Sequence, residues 1–206
     1  MQKSSPARII KIKNNDDIPD LYKNTAIALL LGYQNFDAPH QKYQQAQILI
    51  GMCIDYRKSL NIPENFAYMI RSAGANLMRN DFKVSFAIGF GGVSTIALIA
   101  HTQCGMAGLE SKKEAFIQGL VDRAGWNRKD AEEHFIKNAP SHEIVNETDF
   151  VISEAKHIRA RYPKVLVVPM IYKVEDGLLY LVQEAQNSLK RSFTVFKKTV
   201  DRQSGK

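Results

Sequence analysis

Cysteine is almost absent from this chain, which holds only Cys53 and Cys104 among 206 residues. Two cysteines cannot build a disulfide scaffold, and in a reducing compartment they serve as thiols or metal ligands rather than as a bridge. Long apolar runs are missing as well. A membrane-spanning helix needs roughly 18 to 20 largely apolar residues, whereas the longest run here, Ala26 to Leu31, is short and follows a polar segment. A soluble protein is expected. The first residues, Met1 to Asn15, are polar and basic and lack both an apolar core and a small-residue cleavage site, so no secretory signal is visible and a cytoplasmic location is expected. No internal repeat or low-complexity linker occurs.

What is present is a hydrophobic fraction of 45% in a chain of one-domain length, enough for a sizeable core and incompatible with a disordered or fibrous class. Basic minus acidic residues gives 28 − 21 = +7, a balance that invites an anionic partner, a membrane surface or nucleic acid. Part of that charge lies in a basic tail containing Lys190, Arg191, Lys197, Lys198, Arg202 and Lys206. No helix-turn-helix, RNA-binding aromatic motif or finger spacing accompanies it. A solvated surface that attracts small anions is the plainer account, and neither a nucleic-acid nor a membrane partner is expected.

Periodicity divides the chain into alternating elements. Apolar residues at helical spacing predict a helix from Ile18 to about Gly32, after the acidic pair Asp16-Asp17,. Ala46 to Cys53 and Ser94 to Ala100 are nearly continuous apolar runs of the kind found in buried parallel strands, with Ala67 to Ser72 a shorter candidate,. Helices are expected over Val84 to Phe90, Ser111 to Leu120, Asn127 to Asn138 and Glu147 to Arg161, with breaks at Gly125 and Pro140,. Lys164 to Val174 and Leu178 to Val182 flank the turn Glu175-Asp176-Gly177 and read as a hairpin,. The expected fold class is α/β, a single domain with a mainly parallel central β-sheet flanked by helices.

The chemistry concentrates where strands end. His101 closes the strand Ser94 to Ala100 and Cys104 follows three residues later, while Cys53 closes the first buried strand, Ala46 to Cys53. Open α/β sheets place ligand sites at such ends. Were the two strands neighbours, two thiolates and one imidazole would converge, a donor set suited to Zn²⁺ that leaves the fourth tetrahedral position open for chemistry. The plainer account is that both cysteines are small buried residues and that His101 merely caps a strand. Asp55 and Arg57 shift the balance. A carboxylate there can accept a proton from metal-bound water, and the arginine can hold it ionised and oriented; the bland alternative is a surface ion pair worth under about 1 kcal/mol.

These residues resemble the signature of the β-class carbonic anhydrases, Cys-x-Asp-x-Arg followed by His-x-x-Cys-Gly. Here it stands as Cys53-Ile-Asp55-Tyr-Arg57 and His101-Thr-Gln-Cys104-Gly105. The similarity extends through Met69-Ile-Arg71-Ser-Ala-Gly74, through Ser85 to Ala100 and, more weakly, through Tyr172-Lys-Val-Glu-Asp-Gly177. The resemblance implies a β-carbonic anhydrase-like fold with one Zn²⁺ per chain on Cys53, His101 and Cys104. It further implies reversible hydration of carbon dioxide to bicarbonate and a proton through a zinc-bound hydroxide. Asp55 would orient that hydroxide and Arg57 would keep Asp55 charged. Two thiolates cancel the charge of Zn²⁺, so the bound water should be less acidic than at a site of neutral imidazoles, and the rate should rise on the alkaline side of neutrality.

Family offsets add substrate-pocket candidates. A Gln nine residues before the first Cys, an aromatic three before the Arg of the family's Arg-Asn pair (Arg71 here) and another fifteen before the His fall on Gln44, Tyr68 and Phe86; singly, each is equally a surface polar residue or a core aromatic. Gly105 would let the chain turn tightly into a following helix whose amides favour anions, or is a turn residue alone. Tyr56, Ser72 and Ala46 depart from the family's usual Ser, Asn and Pro. The phenol of Tyr56 either reshapes the channel or points away, so hydrolysis of COS or CS₂ on the same zinc site remains an alternative. A non-catalytic zinc-binding regulatory homologue is another. The resemblance also implies a homodimer or higher even assembly that shares its pocket between subunits, clasped by the helix Ile18 to Gly32. The expected layout is a polar arm over 1–17, the zinc domain over 18–189 and a basic tail over 190–206.

Overall fold

A computed structural model of the chain describes residues 8–77 and 80–184. The first seven residues and the basic tail lie outside the described residues. The elements in chain order are β1 (Arg8–Lys11), α1 (Ala26–Phe36), β2 (Ile48–Met52), β3 (Ala67–Arg71), α2 (Asp81–Gly89), β4 (Thr95–His101), α3 (Lys113–Ala124), α4 (Arg128–Asn138), α5 (Glu147–Arg161), β5 (Leu166–Tyr172) and β6 (Leu179–Gln183). All six strands form one sheet in the order β1-β6-β5-β4-β2-β3. Strands β2 to β5 run parallel, while β6 is antiparallel to β5 and β1 is antiparallel to β6. This is the expected α/β architecture.

The inner parallel strands β2, β4 and β5 are buried at every position, which is why their sequences ILIGM, TIALIAH and LVVPMIY are near-continuously apolar. Successive side chains on such strands point to opposite faces, and each face carries its own core. On one face Ile48, Ile50, Ala97 and Val168 pack with Ile27, Leu30 and Leu31 of α1. On the other, Leu49, Ile96, Leu98 and Val167 pack with Val84 of α2 and Val151, Ala155 and Ile158 of α5. A third small cluster, Cys53, Cys104 and Ile144, sits beyond the strand ends.

Two boundaries differ from expectation. The first helix begins at Ala26, not Ile18. Turn hydrogen bonds from Tyr22 N to the Pro19 carbonyl and from Thr25 N to the Tyr22 carbonyl occupy the preceding segment, and the Thr25 side chain caps the helix by accepting from Ile27 N,. The helix also runs past Gly32, ending at Asp37 in a left-handed cap. Strand β1 has no expected counterpart. Its sequence RIIK has only two apolar residues and three of its four positions are exposed, as suits an edge strand held by backbone pairing.

Candidate metal centre

Because β2 and β4 are parallel neighbours with Met52 opposite Ile99, the residues that follow their last turns of pleat arrive at the same rim. Cys53 comes directly after β2, His101 ends β4, and Cys104 returns to the rim through a sharp turn at Gln103, whose φ is 58°. The ligand atoms of Cys53, His101 and Cys104 all lie within 4.8 Å of one another, and all three residues are buried. Ile144, Met106, Ala107 and Phe150 form an apolar floor around the thiols.

The histidine shows that a cation fits this triangle. His101 Nδ1 lies 2.9 Å from the Thr102 carbonyl oxygen; a carbonyl only accepts, so the proton belongs on Nδ1 and Nε2 presents its lone pair. That Nε2 is fully buried and has no hydrogen-bond partner. Leaving a buried acceptor unpaired costs on the order of 1–3 kcal/mol, and a metal ion shared with two sulfurs removes the cost. Two sulfurs and one imidazole nitrogen are donors that Zn²⁺ favours.

The thiols themselves respond to one another. A hydrogen bond from Cys104 holds the Cys53 thiol below its ordinary range despite burial, while the same partnership and burial push Cys104 up. Behind Cys53, Arg71 Nη1 donates to its carbonyl oxygen at 3.2 Å and the buried Lys58 Nζ lies 3.4 Å from the same oxygen. Burial pushes the Lys58 ammonium down, and the nearby Cys53 and Asp55 work against that. Across the rim, Glu147 Oε1 accepts from Cys104 N at 3.1 Å.

Asp55 stands beside the triangle, its Oδ2 being 3.9 Å from His101 Nε2. Arg57 grips it as a fork: Nε donates to Oδ1 at 3.0 Å, Nη2 to Oδ2 at 2.7 Å, and the Arg57 backbone N to Oδ1 at 2.9 Å. Those bonds hold the Asp55 carboxyl well below the usual carboxylate range,. The Tyr56 side chain between them is 93% exposed and points to solvent, so it leaves the pair unobstructed.

Of the residues expected at the site, the fold brings Cys53, His101, Cys104, Asp55, Arg57 and Gly105 to this rim. It does not bring Gln44, Tyr68 or Phe86 there within one chain. Tyr68 pairs with Leu49, four residues before Cys53 and so roughly 13 Å down the sheet at about 3.3 Å per residue. Gln44 precedes β2 and lines a groove of about 480 Å³ with His40, Lys42, Tyr43 and Glu64. Phe86 lies on α2, half-exposed and stacked on Phe90 at 4.9 Å. Gly105 does not open a helix: a turn and a 3-10 segment, Leu109–Lys112, intervene before α3, and Lys112 donates to the Gly105 carbonyl at 2.9 Å. Sequence reasoning assigned no role to Lys58, Thr102, Gln103, Glu147 or Glu175. Thr102 and Gln103 fill the open places of the His-x-x-Cys pattern, whereas nothing in the sequence links Glu175 to the rim.

No protein-family model matches the sequence, and no curated protein matches it. Solved structures do. A β-carbonic anhydrase of Trichomonas vaginalis covers 70% of this chain and 87% of its own at TM-score 0.55 and 18% identity. A carbonic anhydrase of Glaciozyma antarctica aligns over 66% of this chain and 83% of its own at TM-score 0.51 and 21% identity. One of Streptococcus mutans covers 81% and 99% at TM-score 0.51 and 15% identity. The chain therefore has the fold of the β-carbonic anhydrases.

Proposed function

We propose that this chain is a zinc-dependent enzyme that hydrates carbon dioxide reversibly to bicarbonate and a proton. The observation that carries the reading is the buried Cys53-His101-Cys104 triangle with a forked Asp55-Arg57 pair at its edge. Cys53, His101 and Cys104 would hold the zinc, which when bound supplies a Lewis acid that makes water nucleophilic near neutral pH.

The chain's own residues do the rest. Asp55, kept ionised by Arg57, is an acceptor fixed beside the ligand set and orients a water proton away from the substrate. Arg57 prevents that carboxylate from turning elsewhere. The apolar floor of Ile144, Met106 and Phe150 suits a small apolar substrate better than a charged one. Gln44, Tyr68 and Phe86, remote from their own chain's rim, would line the pocket of a neighbouring copy, and the exposed aromatics Phe82 and Phe86 of α2 and Phe90 at its C-terminal cap form a surface that such a homodimer would cover.

Two variants test the roles. Asp55→Asn should keep zinc and lower turnover by about 100-fold or more, the scale of a lost acid-base group; full turnover would remove Asp55 from the mechanism. Cys104→Ser should lose the metal, and undiminished zinc content by elemental analysis would sink the ligand assignment.

A further inference from the structure

Arg57 does more than grip Asp55: the opposite side of its guanidinium is held by Gln103. Arg57 Nη2 donates to the Gln103 main-chain carbonyl at 2.8 Å and Nη1 to the Gln103 side-chain Oε1 at 3.2 Å. Gln103 in turn donates through Nε2 to Glu175 Oε1 at 3.0 Å, and Thr102 Oγ1 donates to Glu175 Oε2 at 2.9 Å. The two ends of the Gln103 amide are thus fixed by opposite charges. Turned over, its NH₂ would face the guanidinium and its oxygen would face the carboxylate, so only one orientation is allowed.

Gln103 also pays a backbone cost. Its φ of 58° is in the left-handed region, which costs a non-glycine residue roughly 1–2 kcal/mol and persists only where the surroundings over-determine it. Glycine would take this conformation without strain but could not join Arg57 to Glu175. The carboxylate end is itself anchored. Glu175 sits on the β5–β6 turn, closed by the bond from Gly177 N to the Lys173 carbonyl. Gln34 of α1 braces the turn by donating to the Gly177 carbonyl at 2.7 Å, and Val174 N donates to Thr102 Oγ1 at 3.0 Å.

We infer that Glu175 is a positioning residue: from the β5–β6 turn it fixes Gln103, and through Gln103 it fixes Arg57 against Asp55. A pair with an arginine side chain 31% exposed would otherwise be loosely held, since exposed ion pairs contribute little alone. The inference deepens the proposed hydratase reading and rests on it for its catalytic consequence, although the clamp itself is a property of the folded chain.

The test compares the full-length protein with Glu175→Ala, Glu175→Gln and Gln103→Ala, following solvent exchange of the Arg57 Nε proton by NMR and, on zinc-counted samples, CO₂ hydration. Glu175→Ala and Gln103→Ala should speed that exchange about tenfold, the scale of one lost hydrogen bond to a charged group. Their kcat should fall while zinc content holds. Glu175→Gln keeps an acceptor for Gln103 Nε2 and should restore slow exchange, a rescue that general loosening of the turn would not give. Unchanged Arg57 exchange in Glu175→Ala overturns the clamp. Absence of hydration by the unaltered protein overturns the enzymatic reading alone, and the exchange comparison still decides the clamp.

Discussion

At the residue scale the centre is a problem in charge. Two sulfurs within 4.8 Å of each other cannot both ionise cheaply without a cation, and the chain answers in part with Lys58 and Arg71 on the Cys53 carbonyl. Cys53 is held down and Cys104 pushed up, directions that favour one proton held between the two sulfurs when no metal is bound. Metal binding must expel that proton. Affinity should therefore strengthen as pH rises, about tenfold per pH unit between about 7 and 8.5, measured by competition with a chelator. An affinity independent of pH would show that no shared proton exists. The proposed ligands, Asp55 and Arg57 were legible in the sequence because five residues, Cys53, Asp55, Arg57, His101 and Cys104, stand at signature spacing beside strand ends. Gln103 and Glu175 were not, because they are 72 positions apart and meet only when His101 of β4 lies opposite Tyr172 of β5.

At the scale of elements, the centre exists because two parallel strands end together, and their packing sets how accurately they do so. Gly51 is one residue before the end of β2, and a Cβ there would come 2.6 Å from Leu77 Cδ1 and 2.8 Å from its Cγ. Leu77 has little room to retreat, being 1% exposed with its backbone N donating to the buried Glu154 at 2.7 Å. Gly51→Ala should destabilise the fold by about 1–3 kcal/mol through overpacking, lowering Tm by several degrees in a thermal melt; an unchanged Tm would mean that Leu77 repacks freely. The inner strands were readable because burial on both faces leaves an uninterrupted apolar run. The start of α1 was not: Ile18 and Tyr22 are buried like helical core residues but lie in turns, and apolar spacing alone does not distinguish the two. Strand β1 escaped notice because its partner β6 supplies backbone hydrogen bonds rather than an apolar face.

For the whole molecule, the sheet separates two sets of residues. Cys53, His101 and Cys104, the proposed metal ligands, lie at the C-terminal rim of the parallel strands, while Gln44 and Tyr68 lie toward the opposite end and Phe86 faces outward on α2. If the latter three serve a substrate pocket, a second copy must supply them. Light scattering should accordingly give at least twice the chain mass, and a monomer that retains full activity would remove all three from the pocket. No helix among the described residues is long and apolar enough to cross a membrane. The most direct measurement is stopped-flow CO₂ hydration at pH about 8.5, where deprotonated water is more abundant, on protein whose zinc content is determined in the same sample. The account predicts a fast rate that is proportional to bound zinc and lost on chelation. One zinc per chain with no hydration above the buffer rate would contradict it.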